Sequence, residues 1–196
     1  MILDSMKTYS MKKNIIFAAV LILLAVIGRL VPHVWNVTPV VAVSLLAGYI
    51  LPRKWAITVP LVAMFIADLS LGFYHLPVML TVYASFALVS LIGSWIKEIK
   101  PHRLLAATLA SSTLFFLTTN FAVWASGTWY PKTAAGLMLA YEMGIPFFRN
   151  MALGDVIFTA VLFGAWSAAA ALAPAILAGK GEKVWPTPRR VRQKSF

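Results

Sequence analysis

Long apolar runs alternate with short polar gaps along almost the whole chain. The runs cover 14–31, 37–51, 55–72, 77–96, 104–125 and 150–177. A span needs roughly 20 apolar residues to cross about 30 Å of hydrocarbon. The pattern therefore predicts an all-α, polytopic membrane protein with six transmembrane helices. The second run is short for a full bilayer, and Pro39 stands near its start. Either its ends extend or the rest of the protein surrounds it. A long connection, SGTWYPKTAAGLMLAYEMGIPFFRN, separates the last two runs. Its middle, 133–145, reads as a short helix lying at the surface or re-entering.

Composition sharpens this reading. Hydrophobic residues make up 61% of the chain and charged residues 12%, which is not the balance of a soluble domain. The organisation expected is a cytoplasmic tail over 1–13, one six-helix transmembrane domain over 14–178 and a basic cytoplasmic tail over 179–196. The net charge of +11 invites a nucleic-acid reading. The basic residues, however, sit in tails and short loops beside apolar spans, so they report topology and no nucleic-acid partner is expected. Of the 17 Lys and Arg, only Arg29, Lys132 and Arg149 fall on one side of the predicted membrane. The positive-inside rule then puts both termini in the cytoplasm. The first run is read as a retained helix, because no clear small-residue cleavage site follows it. The chain has no cysteine, which excludes disulfides, thiolate metal sites and cysteine nucleophiles.

Polar and aromatic residues gather on the sparsely charged side. His33, Trp35 and Asn36 follow the first run, and Asp68, Tyr74 and His75 lie between the third and fourth. Asn120, Trp124, Trp129, Tyr130, Lys132, Tyr141, Glu142, Arg149, Asn150 and Asp155 surround the last two. Aromatic walls with a few polar anchors suit a planar, partly polar small molecule. An interfacial aromatic belt would place Trp and Tyr there too. A carboxylate at Asp68 is costly in a membrane unless paired or wet. It either pairs with Arg29 or Arg149, contacts a ligand, or couples an ion. Asp155 raises the same question, near the start of the last run. Two imidazoles, His33 and His75, are too few for a metal site of the protein's own. Small residues in the first, second and sixth runs, among them Ala18, Ala25, Ala47, Gly48 and Ala168, suit close helix packing or docking to a membrane partner. No nucleophile elbow, HExxH, P-loop or kinase signature is present, so no enzyme is expected, and Gly179-Lys180 lacks a phosphate loop.

The segments carrying these residues resemble a known group. Asn36 and Pro39 through AGYILPRKWA and VPLVAMFIADLSLGFYH, and TTNFAVWASGTWYPKTAAGLMLAYEMGIPFFRNMALGDVIFTAVLFG, are similar to the substrate-binding S components of energy-coupling factor transporters. The resemblance is fairly specific over 120–124, 129–131 and 146–155, and the chain is similar to solitary bacterial vitamin B12 uptake proteins. The resemblance implies an S-component-like bundle in the bacterial cytoplasmic membrane. It implies a vitamin-type ligand near the outer face, with cobalamin or a related corrinoid leading, and no resident cofactor. Trp35, Asn36, Asp68, Tyr74, His75, Tyr83, Asn120, Trp124, Trp129, Tyr130 and Tyr141 would line the site. Two departures stand out. The Ala-x-x-x-Ala motif that docks S components onto a shared energising transmembrane and ATPase module is absent, since Leu23 follows Ala19 and Ile22 follows Ala18 at that spacing. No cysteine is available to hold cobalt, so His75 or His33 would ligate it, or no side chain would. The competing classes are a membrane scaffold or assembly subunit, an ion-coupled small-solute carrier and an intramembrane enzyme.

Overall fold

A computed structural model describes the backbone of residues 2–32 and 36–178 and the side chains of 11–32 and 36–172. Residues 33–35 and 179–196 lie outside it, so the expectations for His33, Trp35 and the basic tail rest on sequence alone. Six helices follow in order: α1 Ile2–Leu30, α2 Val40–Ile50, α3 Arg53–Leu71, α4 Leu76–Ser94, α5 Pro101–Ser126 and α6 Ala134–Ala178. Five are long and apolar enough to cross a bilayer, and α2 is the short sixth. The chain is thus an all-α, multi-pass membrane bundle. Helix α1 already begins inside the stretch expected as an N-terminal tail.

Polarity is arranged from the inside out. Ile16, Leu69, Leu80, Leu153, Ile157 and Val161 are exposed, while Ser44, Ser85, Ser90, Thr108, Ser111, Ser112 and Thr159 are buried. Such a surface belongs in lipid, where apolar side chains cost nothing outside and polar groups must find partners within. The hydroxyls find them largely in their own helices: Ser44 donates to Val40 O, Ser90 to Phe86 O and Ser111 to Ala107 O.

Helix α2 is the core. Its 11 residues rise only about 16 Å, roughly half the hydrocarbon thickness. Nine of them, Val40 through Gly48, are buried, and α2 touches each of the other five helices. The alternative in which the protein surrounds the short helix is the one realised. Close approach to α4 depends on two glycines. A Cβ at Gly48 would overlap Ser90 O, and one at Gly93 would overlap the Leu45 backbone.

The α5–α6 pair departs from expectation. Helix α6 runs unbroken from Ala134, so 134–145 is the first part of the last helix and not a separate short one, and Asp155 is not near a helix start. Pro146 removes one N–H from the ladder inside this helix. Packing on α5 carries the helix through. Phe116 meets Tyr141 at 5.6 Å and Phe148 at 4.8 Å between ring centroids. Gly144 leaves room for Asn120 and Phe116 of α5, which a Cβ would strike. The two helices therefore run antiparallel along a continuous seam.

Short connections between touching neighbours put successive turns at opposite ends of the bundle. One end carries Arg53, Lys54, Lys97, Lys100 and Arg103, and is the basic face. The other carries 72–75 and 127–133, and is the aromatic face.

Candidate functional site

At the aromatic face the sequence candidates separate into two groups. The first joins α1, α3 and α4. Asp68, in the last turn of α3, is fully buried. Its Oδ1 accepts from Arg29 Nη2 at 2.7 Å, and its Oδ2 accepts from Tyr83 Oη at 2.9 Å. Of the two guanidinium partners open to Asp68, Arg29 is the one used. Arg29 Nε is buried and has no hydrogen-bond partner among the described residues. Tyr74 sits above this pair in the α3–α4 turn. Burial, reinforced by the Asp68 charge and opposed by Arg29, pushes its phenol up to about 12, so it stays a neutral donor.

The second group caps α5. Trp124 Nε1 donates to Pro131 O at 2.9 Å, folding the 127–133 turn back onto the helix. Lys132 Nζ donates to the carbonyls of Trp124 and Gly127, and stands 5.8 Å from the Trp124 ring centroid. A cation on the last carbonyls of a helix satisfies orphan acceptors and opposes the negative end of its dipole. Tyr141 Oη donates to Leu117 O at 3.0 Å, and Asn120 Nδ2 to Phe116 O at 2.8 Å. These polar atoms therefore serve the local fold first. Trp129 is different. It is 84% exposed, so its indole face is unspent.

One contact bridges the groups. His75, the residue before α4, lies 3.3 Å through Nδ1 from Ser126 Oγ at the end of α5. Asn36 is exposed in a left-handed conformation, φ 63°, at the turn into α2. Asparagine tolerates that region better than most residues. Among the described residues no group of three His, Asp or Glu could hold a metal ion.

A different cluster lies mid-bundle. Asp155 of α6 is buried, and its Oδ2 is in hydrogen-bond contact with Ser112 Oγ of α5 at 2.7 Å. One turn towards the basic face, Thr108 Oγ1 donates to Thr159 Oγ1 at 3.2 Å. The signal for this cluster was present in the sequence as Thr108/Ser112 facing Asp155/Thr159, each pair four residues apart. A groove of about 370 Å³ leads to it from the basic face, lined by Pro101, Leu104, Thr108, Val156, Thr159 and Gly164 among others.

No curated protein and no solved structure matches the chain. The profile of a family of unknown function, DUF6580, matches residues 9–176, which takes in α2 to α5 complete, both buried aspartates and all the described candidate residues, and the chain belongs to that family.

Proposed function

We propose that the protein is a membrane uptake component that binds a vitamin-type small molecule at its aromatic face. The observation that carries this reading is the convergence of two separate turns there. The 72–75 and 127–133 turns bring Tyr74, His75, Trp129 and Tyr130 to one end, and His75–Ser126 ties them together. The exposed Trp129 ring offers a stacking surface. The Tyr74 phenol offers a donor at the same end of the bundle. Such a combination suits a flat ligand with polar edges. Cobalamin or a related corrinoid is the first candidate, in keeping with the resemblance to S components and solitary B12 uptake proteins. On this reading both termini are cytoplasmic, the aromatic face is external, and His75 is the described side chain able to reach a substrate-borne cobalt. The missing Ala-x-x-x-Ala motif favours a solitary protein or a dedicated partner over a shared ATPase module.

The test is mass spectrometry and an absorbance spectrum of gently purified protein, followed by titration with cobalamin and other flat vitamins. Binding is expected, with Trp129→Ala weakening it about tenfold, equivalent to about 1.4 kcal/mol. A corrinoid spectrum altered by His75→Ala would identify the axial ligand. A protein that purifies empty and binds none of the candidates sinks this reading and leaves a scaffold or ion-coupled carrier.

A further inference from the structure

The buried carboxyl group of Asp155 is not used by any ligand reading of the aromatic face. It lies 11 residues into α5 by its partner Ser112, about 16 Å from the basic end of that helix. That is close to the middle of the bilayer. An ionised carboxylate at this depth needs a cation or water. No ion pair reaches Asp155 among the described residues. The elements packed against it offer no charge. On α5 the charged or titratable groups, His102 and Arg103, stand in the first turn. The titratable side chain of α2 is Tyr49, which packs on Phe163, two turns away along α6. On α6 itself Glu142 and Arg149 are exposed, and Tyr141 is bound to Leu117 O. Arg29 of α1 is committed to Asp68.

The hydrogen-bond geometry points the same way. Ser112 Oγ has two acceptors in reach, Asp155 Oδ2 at 2.7 Å and Thr108 O at 3.0 Å, but a hydroxyl carries one proton. A neutral carboxylic acid resolves the conflict. Its Oδ2–H donates to Ser112 Oγ, and the Ser112 proton is free for Thr108 O. Both contacts of Ser112 Oγ are then made.

We propose that Asp155 is a proton-binding site of the α5–α6 seam, loaded and emptied through the groove that opens at the basic face. The inner end of the groove, at Thr108 and Thr159, stands one helical turn from Ser112 and Asp155. On release, the Oδ2–H bond breaks and the proton passes to water in the groove. The carboxylate left behind has only hydroxyls and that water to solvate it. The charged form therefore favours a wider seam, and the neutral form a closed one. This links a proton on one face to the packing of the two helices whose connecting turn carries Trp129 at the other.

The chain's lack of cysteine makes the test direct. Spin labels at Leu105→Cys and Val161→Cys, both exposed, report the seam in lipid nanodiscs while infrared spectra report the carboxyl group. The expected result is a protonated C=O band at neutral pH that is lost in Asp155→Asn. Raising the pH should remove the band and lengthen the label distance together, and Asp155→Asn should hold the short distance at every pH. Ser112→Ala, which keeps the carboxyl, should shift the band and its titration. A spectrum unchanged by Asp155→Asn, a label distance indifferent to pH, or a pH response that survives Asp155→Asn would each overturn the proposal.

Discussion

Two aspartates are buried among the described residues of this bundle, and they are kept there by opposite means. Asp68 sits in the last turn of α3, near the aromatic face, with a guanidinium on one oxygen and a phenol on the other. Asp155 sits mid-membrane with hydroxyl groups for company. The first is an ion pair whose desolvation is offset by Coulomb attraction and two charge-assisted hydrogen bonds. The second has no opposite charge to offset anything, so neutrality is the inexpensive state. A carboxylate near the end of a span fixes helices, and one in the middle with only hydroxyls is free to change its charge.

The strongest way to break the comparison is to remove the partner cation. Arg29→Ala strands a charge on Asp68 and should cost about 3–5 kcal/mol in denaturant unfolding from micelles. Replacing both Arg29 and Asp68 by leucine should recover most of that loss. Asp155→Asn, which strands no cation, should cost under about 1 kcal/mol in the same assay. Equal losses from Arg29→Ala and Asp155→Asn would abolish the distinction.

A finer contrast uses the two hydroxyl donors. Tyr83→Phe removes a donor to a charged acceptor and should cost about 1.5–3 kcal/mol. Ser112→Ala removes a bond to a neutral acid and should cost about 0.5–1.5 kcal/mol. Reversal of that order in paired unfolding curves would mean that the charge assignments are the wrong way round.

The smallest effect belongs to an exposed carboxylate that serves as the reference. Glu98 in the α4–α5 linker is hydrogen-bonded to Lys100 at 2.9 Å and paired with Arg103 at 3.3 Å, and these hold its carboxyl below the ordinary value of 4.5. A lowered folded-state value means the contribution is full above 4.5 and fades as the pH falls below it. Glu98→Gln should leave stability nearly unchanged at neutral pH, and 1 M salt should erase the difference that remains. A salt-resistant loss would show the linker to be a structural clamp.

Most of the architecture was legible because the period of apolar residues and the position of the charges answer to the bilayer and not to tertiary detail. The shortness of α2 already implied that other helices enclose it. The Arg29–Asp68 pair was legible as one of two pairings, since both residues lie near helix ends on the same side. The continuity of α6 through Pro146 was not legible, because the cost of a missing N–H is outweighed there by aromatic packing of Tyr141 and Phe148 on Phe116. The mid-membrane hydroxyl cluster escaped notice for another reason. A serine or threonine in an apolar helix ordinarily bonds its own backbone, as Thr108 and Ser112 also do here, so its sequence signal is the same whether or not it faces a carboxyl group. Trp124 and Tyr141 look alike as ligand candidates, and only the fold shows that their polar atoms are already engaged.

The brevity of α2 has a consequence for biogenesis. A segment that rises about 16 Å has no autonomous place in a bilayer roughly twice as thick. Its end groups become tolerable only when α3, α4 and α6 stand around it. Those helices are all synthesised after it, so the centre of the molecule is the part that must wait for its own walls.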